Sequence, residues 1–243
     1  MNNNDFEELW RGGPVFRQSE HFRFGTDSVL LADFVSVGQR KRCIDLGCGS
    51  GILPLLLLTK YPALCVTGLE LEPGSLDCAI ANAVNNDVNK SFYPVCGDIR
   101  SSRELFKSGE FDLVVSNPPY FPEGSGSVSP DPARAAARGE AHCTLSELCR
   151  AAAYLLHTGG AFCLVHRAER LCDVLVTLRE NGLEPKRLRL VAHDMTKPPS
   201  LVLVEARRGG NAGLSVMPTL CIRNTDGTET AEILRIYHRE DAQ

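Results

Sequence analysis

The segment Asn117-Pro118-Pro119-Tyr120 follows an apolar run, FDLVV at 111–115, that is typical of a buried strand. Neither proline offers a backbone N–H, so the strand ends in a stiff turn. The Pro118 carbonyl and the Asn117 side-chain oxygen provide two acceptors, which match the two hydrogens of an –NH2 group. Tyr120 adds an aromatic face on which a planar group can stack. The segment therefore predicts a catalytic site that grips a planar amino group and directs its nitrogen lone pair.

A second motif, IDLGCGSGIL at 44–53, places a glycine-rich turn between a predicted strand and a predicted helix. Glycines allow tight backbone geometry and the close approach of a ligand to the helix N-terminus. A dinucleotide fingerprint on Gly47 and Gly49 would need its third glycine three residues after Gly49, but the third glycine is Gly51. Asp45 would also repel a pyrophosphate. The turn therefore favours a ligand with a cationic amine over a dinucleotide.

Two further acids follow the next predicted strands. Glu70 ends the second strand, where a carboxylate can accept from both ribose hydroxyls, and Asp98 follows the third, where it can accept from an adenine amino group. Asp45 would hold a cationic amine. An amine, a ribose and an adenine together predict S-adenosylmethionine as the cofactor. Asn117 is placed among both the catalytic and the cofactor-binding residues, because its strand ends in the same crevice. The predicted reaction is a direct methyl transfer to an amino group without a metal.

Short apolar segments alternate with helical patterns from residue 41 onward. Strands are predicted at 42–46, 65–70, 92–96, 111–116 and 160–166, and helices at 51–60, 74–85, near 101–107, 144–156 and 168–181. This alternation predicts an α/β fold with a parallel sheet covered on both faces. A final pair of strands, 186–193 and 200–206, is too closely spaced for a helical crossover and predicts an antiparallel hairpin. The tail at 214–238 predicts a strand, a turn and a short helix.

Composition limits the organisation of the chain. Its 243 residues predict one domain, with an N-terminal extension at 1–40, a core at 41–207 and a C-terminal strand–helix addition at 208–243. The polar, acidic N-terminus predicts no signal peptide, and no apolar run is long enough to cross a bilayer. Ten scattered cysteines without a Cys-x-x-Cys pair favour reduced thiols in a cytoplasmic protein.

The net charge of −4 is unevenly distributed. Residues 1–120 hold 11 basic and 15 acidic side chains, whereas residues 121–243 hold 15 of each. Basic candidates for an RNA phosphate backbone therefore lie in the later half. They are Arg134 and Arg138, in a Gly-, Ser-, Pro- and Ala-rich segment predicted to be a lid or binding loop, and the cluster of Lys186, Arg187 and Arg189.

The motifs resemble those of class I amino-group methyltransferases, which act on adenine or guanine amino groups or on the glutamine amide of release factors. Six segments follow one another along this chain: FRFGTDSVLLADF at 22–34, SNPPYF, CTLSELCRAAAYLL, GGAFCLVHRAERL, LEPKRLRL and LVLVEARRGG. That order resembles the bacterial family that methylates N6 of adenine 37, beside the anticodon of valine tRNA. The resemblance spans nearly the whole chain. It implies a Rossmann-like, seven-stranded, mostly parallel sheet with an antiparallel last strand, and tRNA as partner.

The resemblance also implies that Gly25, Thr26 and Asp27 flank the methionine end of the cofactor. Three alternatives stay open. Protein glutamine methyltransferases usually carry a helical domain before the cofactor fold, and only residues 1–41 precede the first predicted strand here. An amino methyltransferase of ribosomal RNA would share the same motifs. A non-catalytic RNA-binding scaffold could retain a cofactor pocket, although the intact motif at 117–120 argues against it.

Overall fold

The computed structural model describes residues 6–18, 25–118 and 143–240. Its strands are β1 (Glu7–Glu8), β2 (Val15–Phe16), β3 (Arg42–Leu46), β4 (Cys65–Glu70), β5 (Phe92–Cys96), β6 (Phe111–Ser116), β7 (Leu156–Arg167), β8 (Leu183–Ala192), β9 (Leu201–Arg208), β10 (Ser215–Val216) and β11 (Leu220–Cys221). Its α-helices are α1 (Thr26–Phe34), α2 (Ile52–Lys60), α3 (Pro73–Asn85), α4 (Ser102–Leu105), α5 (Leu145–Leu155), α6 (Leu171–Glu180) and α7 (Ala231–Ile236). Short 3-10 turns precede α4 and α6.

One large sheet organises the described part of the chain. Its seven long strands run in the order β5-β4-β3-β6-β7-β9-β8, and the short β10 and β11 both pair with the outer edge of β8. Every neighbouring pair is parallel except those of β9, which is antiparallel to β7 and to β8. The predicted α/β fold, with a mostly parallel sheet and an antiparallel last long strand, is confirmed. The two-residue strands of the tail widen the sheet from seven strands to nine among the described residues.

Helices cover both faces of the sheet. Buried side chains of α1, α2, α3 and α7 join one hydrophobic core, and those of α5 and α6 join a second on the opposite face. Helix α2 is buried along the whole run ILPLLLL at 52–58. A helix that is apolar all round must be surrounded by protein, and α2 contacts α1, α3 and β4. This packing fixes the glycine-rich turn, because α2 begins directly after it.

The first four long strands have the bounds that the sequence predicts, whereas β7 is longer and α1 is absent from the prediction. Strand β7 starts at residue 156 because its first residues pair with β6 across a bulge. Helix α1 has nine residues, and six of them are buried. So short and so buried a helix lacks the alternation of polar and apolar positions that identifies an amphipathic helix.

The strand order reverses direction at β3, which lies between β4 and β6. In open parallel sheets of this kind, ligands bind outside the carboxyl ends of the strands at the reversal point. The glycine-rich turn follows β3, and the Asn117 motif follows β6. The topology therefore brings both motifs to one crevice.

Candidate active site

The glycine-rich turn uses its three glycines in two ways. Gly47, Gly49 and Gly51 have φ angles of 79°, 54° and 79°, a region that side chains other than glycine rarely adopt. Gly47 and Gly49 line the cleft, whereas Gly51 packs against α3. A Cβ at Gly51 would lie 2.8 Å from the Cβ of Ala79. Gly51, which the sequence predicted to bind the cofactor, does not line the cleft and instead allows α2 and α3 to approach each other.

Glu70 ends β4 and points into the cleft beside the turn. Its Oε2 accepts from Gly49 N at 2.8 Å, and its Oε1 accepts from Glu72 N at 2.9 Å. These two bonds fix the plane of the carboxylate. A carboxylate has about four lone-pair positions, so each oxygen keeps capacity for another donor. This geometry suits the predicted bonds to two neighbouring ribose hydroxyls.

Asp45 lies beneath the turn and does not line the cleft wall. Its side chain is 1% exposed, and its Oδ1 has no hydrogen-bond partner among the described residues. Burial, and then the charge of Glu70, raises the pKa of Asp45 well above its ordinary value. A buried carboxyl without a partner is costly, and a nearby cationic group would offset that cost.

We expect Asp45→Asn to raise the free energy of unfolding of the cofactor-free protein by about 1 kcal/mol or more at neutral pH. With its raised pKa, folded Asp45 holds a proton that the unfolded chain releases, so wild-type stability falls as pH rises above the ordinary pKa. In urea unfolding, the advantage of the variant should therefore grow as pH rises above the ordinary pKa of an aspartate. An advantage that stays constant or shrinks with pH would contradict a raised pKa.

Asp98 lies on the far side of the cleft with Gly97 and Ile99. Its carboxylate accepts from the backbone N–H of Arg100 at 2.8 Å and from the Arg100 Nε at 2.9 Å. The Arg100 side chain is the largest influence on the pKa of Asp98, which is lowered. Asp98 is therefore an ionised acceptor at neutral pH, as the predicted contact with an adenine amino group requires.

Apolar side chains complete this end of the cleft. Leu69, Ile99 and Leu148 face it, together with Cys143. Sequence reasoning missed Cys143, which lies two residues before α5, and Leu148, which lies in the first turn of α5. The apolar positions of CTLSEL at 143–148 were the available signal, but their pattern indicates only a buried helix face. An apolar lining of this kind suits a planar base.

Asn117 and Pro118 stand directly after β6 and line the same cleft. The Asn117 Nδ2 donates to the Oγ of Ser28 at 2.9 Å. The Oδ1 of the same amide therefore faces away from Ser28. The cleft has a volume of about 290 Å³. It brings together six of the residues predicted from the sequence: Gly47, Gly49, Glu70, Asp98, Asn117 and Pro118.

The N-terminus of α1 lies beside the motif. Gly25 is the N-cap of α1, and Thr26 and Asp27 form its first turn, next to Ser28. None of the three predicted residues lines the cleft. These three residues are nevertheless near the cleft, because the neighbouring Ser28 is bonded to Asn117. The predicted residues Pro119, Tyr120, Arg134 and Arg138 lie outside the described residues, so their roles stay predictions.

The cluster at 186–189 is engaged within the protein. Lys186 Nζ donates to Asn211 O at 2.9 Å, and Arg187 pairs with Glu205 at 2.8 Å. Arg189 donates to both oxygens of Glu232 at 2.7 Å. A guanidinium held by intramolecular carboxylates has less capacity for an external phosphate. The contacts favour a structural role for Arg187 and Arg189 over the predicted RNA contact.

We expect Arg189→Ala to lower the free energy of unfolding by about 2 kcal/mol, because charge-assisted bonds to Glu232 and the Pro218 carbonyl are lost. The side chain of Arg189 is only 11% exposed. Arg179 is the matched control, since its pair with Glu184 leaves Arg179 65% exposed and should contribute less than about 1 kcal/mol. Urea unfolding measures both variants, and equal losses would contradict the structural role.

Neither a metal site nor a membrane-spanning helix is found in the described ranges 6–18, 25–118 and 143–240. No group of three or more His, Cys, Asp or Glu side chains in them is arranged to hold a metal ion. Within the same ranges, no helix has the length and apolar character needed to span a membrane.

The fold and the cleft define a class of protein. The strand order, the glycine-rich turn and the acids after successive strands are those of class I methyltransferases. A predicted O-methyltransferase from Agrobacterium tumefaciens matches with a TM-score of 0.72 and 17% identity, covering 88% of this chain and 97% of that chain. Geranyl diphosphate C-methyltransferase from Streptomyces coelicolor matches with a TM-score of 0.54 and 14% identity, covering 74% and 80%. At such identities the two structures show the fold alone.

Sequence relatives give the family. The family model of the methyltransferase small domain matches residues 15–181. Two relatives bear the name tRNA1(Val) (adenine(37)-N6)-methyltransferase. The one from Porphyromonas gingivalis is 32% identical over 88% of this chain and 86% of its own length, and the one from Dickeya chrysanthemi is 31% identical over 90% and 89%. The chain belongs to the methyltransferase small domain family, within the group of tRNA1(Val) (adenine(37)-N6)-methyltransferases. The predicted resemblance is confirmed.

The cleft residues fit S-adenosylmethionine, the cofactor of this class. Asp45 lies next to the cleft and not in its wall. Its buried Oδ1 has no hydrogen-bond partner among the described residues, and a cationic group such as the cofactor's amine would offset that cost. Glu70 is held in a fixed plane at the end of β4, as an acceptor for a ribose should be. Gly47 and Gly49, which line the cleft, have positive φ angles that would be strained in a residue with a side chain.

Proposed function

We propose that this chain transfers a methyl group from S-adenosylmethionine to N6 of adenine 37 in tRNA1(Val), in the cytoplasm where tRNA is found. The observation that carries the proposal is the position of Asn117 and Pro118 on the wall of the cofactor cleft. Two acceptors at this point suit a primary amino group brought next to the transferable methyl. The names of the relatives support adenine 37 as the target.

On the cofactor side, two acids and two glycines would each contact a different part of the ligand. Glu70 would accept from the ribose hydroxyls, and Asp98 would accept from the adenine amino group. Backbone at Gly47 and Gly49, which line the cleft, would pass close to the ligand without Cβ atoms in between. When bound, S-adenosylmethionine supplies an electrophilic methyl group. These residues would hold the cofactor in the cleft whose wall also contains Asn117.

On the substrate side, Asn117 Oδ1 and the Pro118 carbonyl would accept the two hydrogens of the adenine amino group. Holding both hydrogens withdraws the nitrogen lone pair from the ring and directs it at the methyl group. Positive charge develops on the nitrogen as the new bond forms, and one of its two hydrogens is then released to solvent as a proton. Two fixed oxygens stabilise that charge without reorganisation, which is electrostatic catalysis. Tyr120 would stack on the base.

A loop adenine is favoured over a duplex adenine because less free energy is needed to move it into the cleft. An adenine in a single-stranded loop needs only to unstack, whereas an adenine in a duplex must also break its pair. Arg134 and Arg138 are the basic residues that we propose to contact phosphates near this base. Each phosphate contact should add about −0.7 to −0.9 to the slope of log affinity against log salt.

The experiment compares three anticodon stem–loops of valine tRNA with labelled S-adenosylmethionine. One carries adenine at 37, one carries guanine there, and one carries guanine at 37 with an added adenine in a stem pair. We expect labelling of the first and a rate lower by on the order of a hundredfold for the stem adenine. Equal labelling of loop and stem adenines, or labelling of a glutamine-containing release-factor peptide instead, would contradict the proposal.

A further inference from the structure

The amide of Asn117 is bonded to a side chain of the segment at 22–34 that was not among the predicted site residues. Its Nδ2 donates to Ser28 Oγ at 2.9 Å, although the two residues are 89 positions apart in the chain. Ser28 lies in α1 and is 2% exposed. It does not line the cleft, so it has no direct contact to offer a ligand there. We propose that Ser28 is a positioning residue that holds the Asn117 amide in its reactive orientation.

The chemistry of a carboxamide explains why such a partner is needed. The terminal torsion of asparagine is broad, so an unsupported amide samples many orientations at little cost. Its oxygen and its nitrogen have nearly the same size, yet only the oxygen can accept from an amino group. The bond to Ser28 fixes the amide nitrogen on the side that faces α1. The geminal oxygen is then directed to the opposite side, where two hydrogens of a substrate amine would need an acceptor.

A hydroxyl can position an amide only if its own helix is fixed, and α1 is anchored at its C-terminal end. Arg235 of α7 donates to both oxygens of Asp33 at 3.1 Å. Arg187 of β8 donates to the carbonyl of Phe34 at 2.6 Å. Lys60 of α2 donates to the carbonyl of Asp33 at 3.0 Å. Three separate elements therefore restrain the last turn of α1.

The first turn of α1 is restrained as well. A hydrogen bond joins the side chains of Thr26 and Tyr237, the residue that follows α7. The hydrophobic positions Val29, Leu30 and Leu31 bury the helix against the sheet. The C-terminal addition thus reaches the reactive amide through α1, with Ser28 as the last contact.

The inference rests on the proposed role of Asn117, and it is tested by a double-mutant cycle. We expect Ser28→Ala to lower kcat about tenfold, the effect of one hydrogen bond, with the Kd of S-adenosylmethionine within about twofold. Ser28→Cys keeps the volume but is a poor acceptor, and it should lose as much. Ser28→Thr keeps the hydroxyl and should retain most of the rate. In an Asn117→Ala background, Ser28→Ala should have no further effect on kcat.

Ser116→Ala is the matched control, because Ser116 is also a buried serine beside the site and donates to the Leu46 carbonyl at 2.8 Å. Its effect on kcat should be the same in both Asn117 backgrounds. If Ser28→Ala lowers kcat by the same factor in both, or if threonine fails to retain the rate in a folded protein, the positioning role is wrong. If Asn117→Ala alone leaves the rate unchanged, the proposed role of Asn117 fails instead.

Discussion

Replacing Asn117 with alanine should lower the rate of methyl transfer by on the order of a hundredfold or more, while cofactor affinity should stay within a few fold. The amide oxygen is one of two acceptors at the end of β6, and the reaction places developing charge on the nitrogen that it holds. Its loss therefore acts on the transition state more than on ground-state binding. Alanine also removes the bond to Ser28, so one buried hydroxyl loses its partner.

Single-turnover rates at saturating cofactor, with calorimetry for cofactor affinity, measure the two quantities separately. Pro118 keeps its carbonyl in this variant, which is why a residual rate should remain. A loss of cofactor affinity as large as the loss of rate would show that Asn117 acts mainly as a cofactor ligand. The sequence predicts both a catalytic and a cofactor-binding role for Asn117, and comparing the loss of rate with the loss of cofactor affinity separates the two roles.

The second large effect is expected at Glu70. Glu70→Ala should weaken binding of S-adenosylmethionine by roughly ten- to a hundredfold, because a charge-assisted bond contributes about 1.5–3 kcal/mol. The structure adds a second reason, since Glu70 also accepts from Gly49 N and holds the glycine-rich turn. Glu70→Gln keeps one oxygen and should show an intermediate loss.

Glu72 provides the control for this measurement. It lines the same cleft, but its carboxylate caps α3 by accepting from Gly74 N and Ser75 N. Glu72→Ala should lower stability by about 1 kcal/mol with cofactor affinity within a few fold. Calorimetry that shows unchanged affinity in a folded Glu70→Ala protein would remove Glu70 from the cofactor site.

The sequence predicts the parts of this fold whose signals are local. Strands β3, β4, β5 and β6 are short apolar runs bounded by turn residues, and their bounds agree with the prediction. Glu70 and Asp98 could be placed because topology alone brings the ends of parallel strands to one edge. Asp45 was predicted to meet a cation. Its Oδ1 is buried without a partner among the described residues, but Asp45 does not line the cleft, so this contact stays a prediction.

Features that depend on distant packing could not be predicted. The Ser28 contact to Asn117 joins residues in α1 and after β6, and no spacing in the sequence relates them. Arg187 and Arg189 read as a basic cluster because their partners, Glu205 and Glu232, lie elsewhere in the chain. Charge patterns identify basic residues but not the carboxylates that already hold them.

One measurement tests the central claim that this cleft delivers a methyl group to the amino group of a tRNA adenine. The purified protein is incubated with labelled S-adenosylmethionine and equal amounts of total tRNA, ribosomal RNA and cellular protein, and the labelled products are digested and identified by mass spectrometry. The account predicts N6-methyladenosine from valine tRNA at position 37, and its loss with Asn117→Ala. Label found chiefly in N5-methylglutamine, in a methylated guanine of ribosomal RNA, or in no product at all would contradict it.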